Sequence, residues 1–148
     1  LLPLALEALS RLPVSVVVAT AGKIALAAVP ANVYVADYLP VDVASRRAQL
    51  VICNGGSLTT YHALVNGVPV IGICSNMDQL LNMQALENLG VGIMLRAART
   101  SAEDVFRAAP ANLEQEAFNR AVRLVGDALA RYDAGAVFRK AVVDMLGS

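Results

Sequence analysis

A glycine-rich segment near the middle of the chain contains the residues best suited to bind a charged ligand. It reads NGGSLTT, follows an apolar run typical of a buried strand, and opens a helical pattern. Adjacent glycines permit backbone angles that other residues avoid, and they let a ligand approach the main chain. The N–H groups of the helix start then point at the ligand, with the positive end of the helix dipole behind them. The segment consists of Asn54, Gly55, Gly56, Ser57, Leu58, Thr59 and Thr60.

In physical terms this segment is a phosphate-binding turn, to which the hydroxyl groups of Ser57, Thr59 and Thr60 add further donors. It is not a Walker loop, because no Gly-Lys-Ser/Thr follows, and it lacks the Gly-x-Gly-x-x-Gly of dinucleotide folds. A plain strand-to-helix turn with a Ser or Thr cap explains the same residues. The turn alone therefore leaves phosphate binding and simple capping both open.

An acidic residue beside an amide, Asp78-Gln79, follows the strand pattern that ends at Cys74. A carboxylate and an amide side by side can grip neighbouring sugar hydroxyls, accepting from one and donating to another. The alternative is that Asp78 caps the helix beginning at Gln79, since Asp at a helix start is common. Asn76 is a second candidate for that cap, and its use would leave Asp78 free.

Tyr38 comes directly after a predicted strand, in the segment Asp37 to Pro40. An aromatic ring there can stack a nucleotide base, which contributes about 1–3 kcal/mol, and Leu39 can offer its backbone to a base edge. The alternative is an ordinary turn whose tyrosine packs in the core.

His62, the one histidine, lies inside the helix after the glycines and could face the ligand. A lone histidine is more often a surface or packing residue, and no acidic partner that would orient it as a base is evident.

Strands that alternate with helices must position these turns. Apolar runs rich in β-branched residues predict strands over residues 14–20, 32–36, 49–53, 68–74 and 91–95. Helical patterns cover residues 1–12, 41–48, 59–65, 79–89, 101–109, about 113–129 and 134–146. Thr100 with Glu103 predicts a capping box for the helix at 101. This order predicts an α/β fold with a doubly wound parallel sheet, helices on both faces and a helical C-terminal segment. Such sheets bind ligands beyond the carboxyl ends of their strands, which is where the three candidate turns lie.

The composition is that of one compact domain with a sizeable core. Apolar residues make up 57% of the 148 residues and charged residues 16%. Lys plus Arg and Asp plus Glu number 12 each, so the basic stripe of a nucleic-acid binder is not expected. The apolar runs are too short to cross a bilayer, and no secretory signal pattern opens the chain. Cys53 and Cys74 form no metal motif, and we predict two buried free thiols in a reducing cytosol.

Taken together, these segments resemble the C-terminal donor domain of GT-B glycosyltransferases. The similarity is greatest to the UDP-glycosyltransferase family and its bacterial macrolide and antibiotic members. It depends on the order and spacing of four pieces along the chain. These are Tyr38-x-Pro40, the Gly-Gly-x-x-Thr-Thr turn at Gly55 to Thr60, Gly67-Val68-Pro69, and Asp78-Gln79 with Asn82.

The resemblance implies a role for each matching position. Tyr38 lies where the family has a base-stacking Trp, and Leu39 lies where backbone groups read the uracil edge. Gly56, Leu58 and Thr59 fall on the turn that holds the diphosphate. Asp78 and Gln79 fall on the pair that contacts the donor sugar. The implied activity is an inverting, metal-independent transfer from a UDP- or dTDP-sugar to a small-molecule or lipid acceptor, with no cofactor.

The sequence departs from the family at three positions. Val41 replaces the family's Gln after the Pro, Asn54 replaces its His before the glycines, and His62 replaces its ribose-binding Glu. An Asn amide can still donate to phosphate, but the changed ribose contacts leave the choice between UDP and dTDP open. Whether these replacements leave a functional site is equally open.

The resemblance also implies parts that this chain does not contain. In the family, a strand with a Gly-Ser turn precedes the helix that begins near Leu1, and a separate acceptor domain carries the catalytic base. We therefore expect residues 1–148 to be one nucleotide-sugar-binding domain, cytoplasmic, without a catalytic residue of its own and inactive alone. The expected partners are a UDP- or dTDP-sugar and the N-terminal acceptor domain, either of the same protein or of a partner subunit.

Three other functions fit parts of the pattern. The chain could be the donor subunit of a split glycosyltransferase that docks onto a membrane-bound acceptor subunit. It could belong to a sugar-nucleotide epimerase, which needs acid/base carboxylates around the sugar, with Asp78 the best candidate and Asp37 the second. It could also be a degenerate domain kept for structure only.

Overall fold

A computed structural model describes residues 1–23, 26, 28–114 and 116–147, without the side chains of residues 110–114 and 117. The strands are β1 (Val16–Ala19), β2 (Val33–Ala36), β3 (Val51–Cys53), β4 (Val70–Cys74) and β5 (Gly92–Arg96). The helices are α1 (Leu2–Leu9), α2 (Val41–Ser45), α3 (Ser57–Val65), α4 (Met77–Asn88), α5 (Ala102–Glu114), α6 (Glu116–Ala130) and α7 (Ala134–Leu146).

The strands form two parallel sheets, one of β1 and β2 and one in the order β3-β4-β5. The predicted α/β fold with parallel strands and flanking helices is confirmed. The five strands do not join into one hydrogen-bonded sheet, however, because no pairing links β1 to β3 within the described part of the chain.

The core is centred on β4, whose five residues are all buried because helices cover both of its faces. On one face β4 packs against α3, α4 and α6, through Ala63, Leu64, Met83, Leu86 and Val122. On the other face it packs against α1 and α5, through Ala8, Ala102, Val105, Ala108 and Ala109. This two-sided burial explains why the strand is apolar at every position.

Helix α1 contacts both sheets. Its Leu6 packs with the inner side chains of β1 and β2, while its Ala8 packs with β4. Arg11, just after α1, ties this region to α5: its Nη1 donates to Glu103 Oε2 at 2.9 Å and its guanidinium lies 3.9 Å above the Phe106 ring. Helix α1 therefore connects the two sheets through packing contacts with both.

Helices α3, α4 and α5 begin at other residues than the sequence predicts, and α4 begins at Met77 rather than Gln79. The box that opens α5 is Ser101 with Asp104, not Thr100 with Glu103: Ser101 N donates to Asp104 Oδ2 at 2.9 Å, and Asp104 N donates to Ser101 Oγ at 3.3 Å. Helix α3 begins at Ser57, two residues before the predicted start. The first turn of α3 therefore belongs to the glycine-rich segment itself.

No helix among the residues described has both the length and the apolar character needed to cross a membrane.

Candidate functional site

The first turn of α3 presents unpaired backbone donors at the carboxyl end of β3. Gly56 is the N-cap, with extended angles of φ −70° and ψ 146°, and no side chain caps the helix. The first bond into the helix runs from Thr60 N to Gly56 O at 3.2 Å. The N–H groups of Ser57, Leu58 and Thr59 have no acceptor among the described residues. The Ser/Thr-cap alternative is therefore wrong, and the donors stay available to a ligand.

Gly55 shapes the turn that precedes these donors. Its φ of +82° lies in the left-handed region, and a Cβ placed on it would come within 2.7 Å of Met83 Cγ and 2.8 Å of Cys74 Sγ. Asn54, which is exposed, accepts from Gly56 N through its Oδ1 at 3.1 Å. The Nδ2 of Asn54 has no partner in the described part of the chain, so its N–H groups are free to donate. Both the conformation and the close packing require glycine at position 55.

Two thiols lie beneath this turn. Cys53 Sγ accepts from Gly55 N at 3.3 Å, and Cys74 Sγ donates to the Gln79 carbonyl at 3.5 Å. Burial raises the pKa of both thiols, so they stay protonated near neutral pH. The prediction of free thiols is confirmed, although Cys53 is half-buried rather than buried.

The carboxyl end of β4 leads into α4, where Asp78 and Gln79 lie. Asn76 is the N-cap, because its Oδ1 accepts from Gln79 N at 3.0 Å. The alternative that Asp78 caps the helix is therefore wrong; Asp78 is exposed, with no bonded partner among the residues described. Gln79 is only 8% exposed, and its Oε1 accepts from Ser75 N at 2.8 Å. Its acceptor is thus committed to the strand-end loop, which leaves Nε2 as the group that can donate to a ligand.

Tyr38 follows β2 and is 77% exposed, so the alternative of a core-facing tyrosine is wrong. Its hydroxyl donates to Ala21 O at 3.2 Å, and Thr20 Oγ1 donates to Asp37 Oδ1 at 3.1 Å. These two bonds join the carboxyl ends of β1 and β2. The Tyr38 ring is therefore held at its hydroxyl end while its faces remain accessible. Leu39 beside it is half-buried.

Thr60 and His62 do not present free groups at the helix start. Thr60 is 2% exposed, and its Oγ1 donates to Ser57 O at 3.0 Å, so it supports the turn rather than facing a ligand. His62 is half-buried, about 7.5 Å along the helix from Ser57 at 1.5 Å per residue. Its ring lies edge-on to that of Tyr61, with centroids 6.1 Å apart. Thr60 therefore supports the first turn of α3 from within, and His62 lies further along the helix than the unpaired amides.

Asn82 joins α4 to this turn, a role that its place in the sequence motif did not reveal. Its Nδ2 donates to Gly55 O at 2.8 Å and to Thr60 Oγ1 at 3.0 Å. The signal that could have found it is its spacing: four residues after Asp78, it lies on the same face of the helix as a residue at the strand ends.

A surface depression of about 440 Å³ lies elsewhere, beside the amino ends of β1 and β2. Its lining includes Ser10, Pro13, Pro30 and Asn32. Asn32 Nδ2 already donates to Leu9 O at 3.2 Å and Val14 O at 2.9 Å, so the polar group there serves the fold. Because parallel sheets bind ligands at the carboxyl ends of their strands, the α3 turn is the better candidate for a functional site than this depression. No cluster of three or more His, Cys, Asp or Glu that could hold a metal occurs among the described residues.

The parallel strands, the flanking helices and the strand-end turns are those of a GT-B glycosyltransferase domain, and solved structures share this fold. Spinosyn forosaminyltransferase SpnP matches with a TM-score of 0.89 and 19% identity, over 99% of this chain and 39% of its own. Spinosyn rhamnosyltransferase SpnG complexed with thymidine diphosphate matches with a TM-score of 0.84 and 26% identity, over 95% of this chain and 40% of its own.

The chain belongs to the family described as Erythromycin biosynthesis protein CIII-like, C-terminal domain, which matches residues 4–143. It is 48% identical over 135 residues to a PGL/p-HBAD biosynthesis rhamnosyltransferase of Mycobacterium bovis (strain BCG / Pasteur 1173P2). It is 50% identical over 135 residues to a PGL/p-HBAD biosynthesis glycosyltransferase of Mycobacterium tuberculosis (strain ATCC 25177 / H37Ra). Each alignment covers 91% of this chain but 30% and 32% of those proteins, so the chain spans about a third of their length. The resemblance inferred from the sequence is confirmed.

Proposed function

We propose that this chain binds the nucleotide-sugar donor of an inverting, metal-independent glycosyltransferase, with a dTDP- or UDP-sugar as the donor. The observation that carries the proposal is the set of unpaired amides at Ser57, Leu58 and Thr59, because three neighbouring donors at a helix start suit a diphosphate. Family membership supports it, as do relatives named rhamnosyltransferase and glycosyltransferase. The thymidine diphosphate complex of SpnG favours dTDP between the two nucleotides.

The proposed chemistry places leaving-group stabilisation in this chain. A base outside the chain removes the proton from an acceptor hydroxyl, and the acceptor oxygen bonds to the anomeric carbon. The bond from that carbon to the diphosphate oxygen breaks, and its electron pair stays on the diphosphate. The α3 amides and the helix dipole stabilise this developing charge without a metal.

The remaining groups at the strand ends suit the base and the sugar. The exposed ring of Tyr38 offers a stacking face, and Leu39 offers backbone groups to the base edge. The free carboxylate of Asp78 and the Nε2 of Gln79 suit sugar hydroxyls. Asp37 is tied to Thr20 through its Oδ1, so Asp78 is the one of these two carboxylates that has no bonded partner among the described residues. This arrangement favours a transferase over an epimerase, which needs a pair.

Nucleotide titration of the full-length protein tests the proposal. We expect dTDP or UDP to bind more tightly than GDP in isothermal titration calorimetry. Tyr38→Ala is expected to weaken binding about 10- to 100-fold, since base stacking contributes about 1–3 kcal/mol. Asn54→Ala is expected to weaken it about tenfold, through loss of one donor to phosphate.

Matched variants control for general damage to the fold. Tyr34 is 63% exposed on β2 and Asn88 is exposed at the end of α4, both away from the candidate turns. Tyr34→Ala and Asn88→Ala should bind nucleotide as the unmodified protein does. Failure of all three nucleotides to bind the unmodified protein contradicts the proposal.

We also propose that one more strand, preceding residue 1 in the full-length protein, completes the sheet between β1 and β3. Parallel pairing uses alternate residues, so the bonds from Val16 N to Asn32 O and from Val51 N to Pro69 O turn the amides of Val17 and Ile52 away from their paired strands. Neither of those amides has an acceptor among the described residues. Helix α1 packs against both sheets, through Leu6 on the side of β1 and β2 and through Ala8 on the side of β4. A strand connected to α1 by a short loop would pair with β1 on one side and β3 on the other.

Hydrogen exchange measured residue by residue in the full-length protein tests this strand. The amides of Val17 and Ile52 should be protected as strongly as those of Val16 and Val51, which already have bonded partners. The paired amides are an internal control within the same strands. Fast exchange at Val17 and Ile52 beside slow exchange at Val16 and Val51 would refute the insertion.

We further propose an acceptor-binding domain that packs on α7, either in the same polypeptide or in a partner subunit. Helix α7 has no buried residue, and Val137, Phe138 and Met145 expose an apolar side. An apolar helix face of this kind is expected to be covered in the complete protein. The relatives' greater length supports a second domain. The free thiols support the proposed cytoplasmic location.

A further inference from the structure

Asn82, on α4, donates hydrogen bonds to the turn that precedes α3 and to the first turn of α3. Its Nδ2 donates to Gly55 O at 2.8 Å and to Thr60 Oγ1 at 3.0 Å, so one amide group reaches both sides of the start of α3. Thr60 Oγ1 in turn donates to Ser57 O at 3.0 Å. A continuous chain of bonds therefore runs from α4 into the first turn of α3.

These bonds fix two peptide planes. A carbonyl oxygen lies in one plane with the N–H of the next residue, so the bond to Gly55 O also orients Gly56 N–H. Asn54 Oδ1 holds that same plane from its other edge, at 3.1 Å from Gly56 N. The bond from Thr60 Oγ1 to Ser57 O fixes the peptide plane between Ser57 and Leu58, which contains the unpaired N–H of Leu58.

The surroundings of Asn82 make these bonds persistent. Thr60 is 2% exposed and Asn82 is half-buried, so water competes little for either bond. Met83, the next residue along α4, is fully buried under Gly55. Two consecutive residues of α4 thus support the turn: Asn82 by hydrogen bonds and Met83 by packing.

We propose that Asn82 is a positioning residue for the diphosphate, which sets the direction of the α3 amides before the nucleotide binds. The role rests on the proposed function, because it has meaning only if those amides hold a diphosphate. Asn82 itself touches no phosphate. Asn82 contributes by fixing the direction of the α3 amides in advance, so its loss should weaken binding most for a nucleotide whose phosphate contacts those amides.

The test compares Asn82→Leu with Asn88→Leu in the full-length protein. Both changes remove an amide from α4 and add an apolar side chain, but Asn88 lies at the exposed end of the helix, where its side chain bonds only Gln84 among the residues that the structure describes. Calorimetric titration with dTDP and with dTMP measures each affinity. We expect Asn82→Leu to weaken dTDP about tenfold or more and to reduce the preference for dTDP over dTMP. Asn88→Leu should preserve both affinities and their ratio.

Two more variants separate positioning from simple stability. Asn82→His keeps a donor near the position of Nδ2 and should recover part of the dTDP preference. Asn82→Ala removes the donor without adding charge or bulk, so it should lose the preference as Asn82→Leu does. If Asn82→Leu does not fold, the contrast between His and Ala decides. An unchanged dTDP-to-dTMP ratio in Asn82→Leu, or in Asn82→Ala, overturns the role of Asn82. Absence of dTDP binding by the unmodified protein overturns the proposed function first.

Discussion

Replacing Gly55 with alanine is expected to destabilise the domain by about 2–5 kcal/mol and to abolish measurable nucleotide binding. The estimate joins two effects. Holding a residue with a Cβ at φ +82° costs about 1–2 kcal/mol. The new Cβ would lie 2.7 Å from Met83 Cγ and 2.8 Å from Cys74 Sγ, and overpacking of this kind costs about 1–3 kcal/mol. Relief of the clash must displace the turn, and the α3 amides move with it.

Gly90→Ala is the matched control, because only one of the two effects operates there. Gly90 has φ +68°, but a Cβ on it would meet nothing within 4 Å. We expect a loss of about 1–2 kcal/mol and unchanged dTDP affinity. Thermal unfolding and calorimetric titration of the two variants measure both quantities. Equal losses of stability in the two variants would show that crowding beneath the turn has no effect.

The architecture was predictable from sequence because it depends on patterns that repeat. Five apolar runs between helical segments define parallel strands, and the burial of every residue of β4 is what its unbroken apolar run indicates. The two-part sheet was not predictable in the same way. Whether β1 meets β3 depends on the backbone that lies between them, which neither strand's own side chains specify.

The candidate site was predictable in its location and less so in its details. Strand-end turns in a doubly wound sheet lie at one edge, which placed the glycine turn, Tyr38 and Asp78 correctly at strand ends. Cap choice is harder, because several residues at a helix start can accept the same N–H. Here Asn76 takes the N–H of Gln79, and Asp78 remains free. The sequence likewise does not show which of the hydroxyl groups of Ser57, Thr59 and Thr60 points into the protein. In the structure it is the hydroxyl of Thr60.

Ser57→Pro is expected to weaken dTDP or UDP binding about 10- to 100-fold while leaving stability within about 0.5 kcal/mol of the unmodified protein. The change deletes the unpaired N–H of Ser57 together with its side-chain hydroxyl, and it keeps the carbonyl that accepts from Thr60. Proline is tolerated in the first turn of a helix, where the N–H has no partner in the helix. Gly56 already has φ −70° and ψ 146°, an extended conformation that suits the residue before proline.

Ser57→Ala removes the side-chain hydroxyl but keeps the N–H, so it separates the two donors of this residue. If the backbone amide holds the diphosphate, Ser57→Pro loses affinity well beyond Ser57→Ala in calorimetric titration, with the same thermal midpoint in both. If the two variants bind equally, the amide contributes nothing and the diphosphate lies elsewhere. Most changes that damage a binding site also destabilise the fold around it. At this helix start the donors have no role in the fold, so affinity and stability respond independently, as expected of a group kept for a ligand.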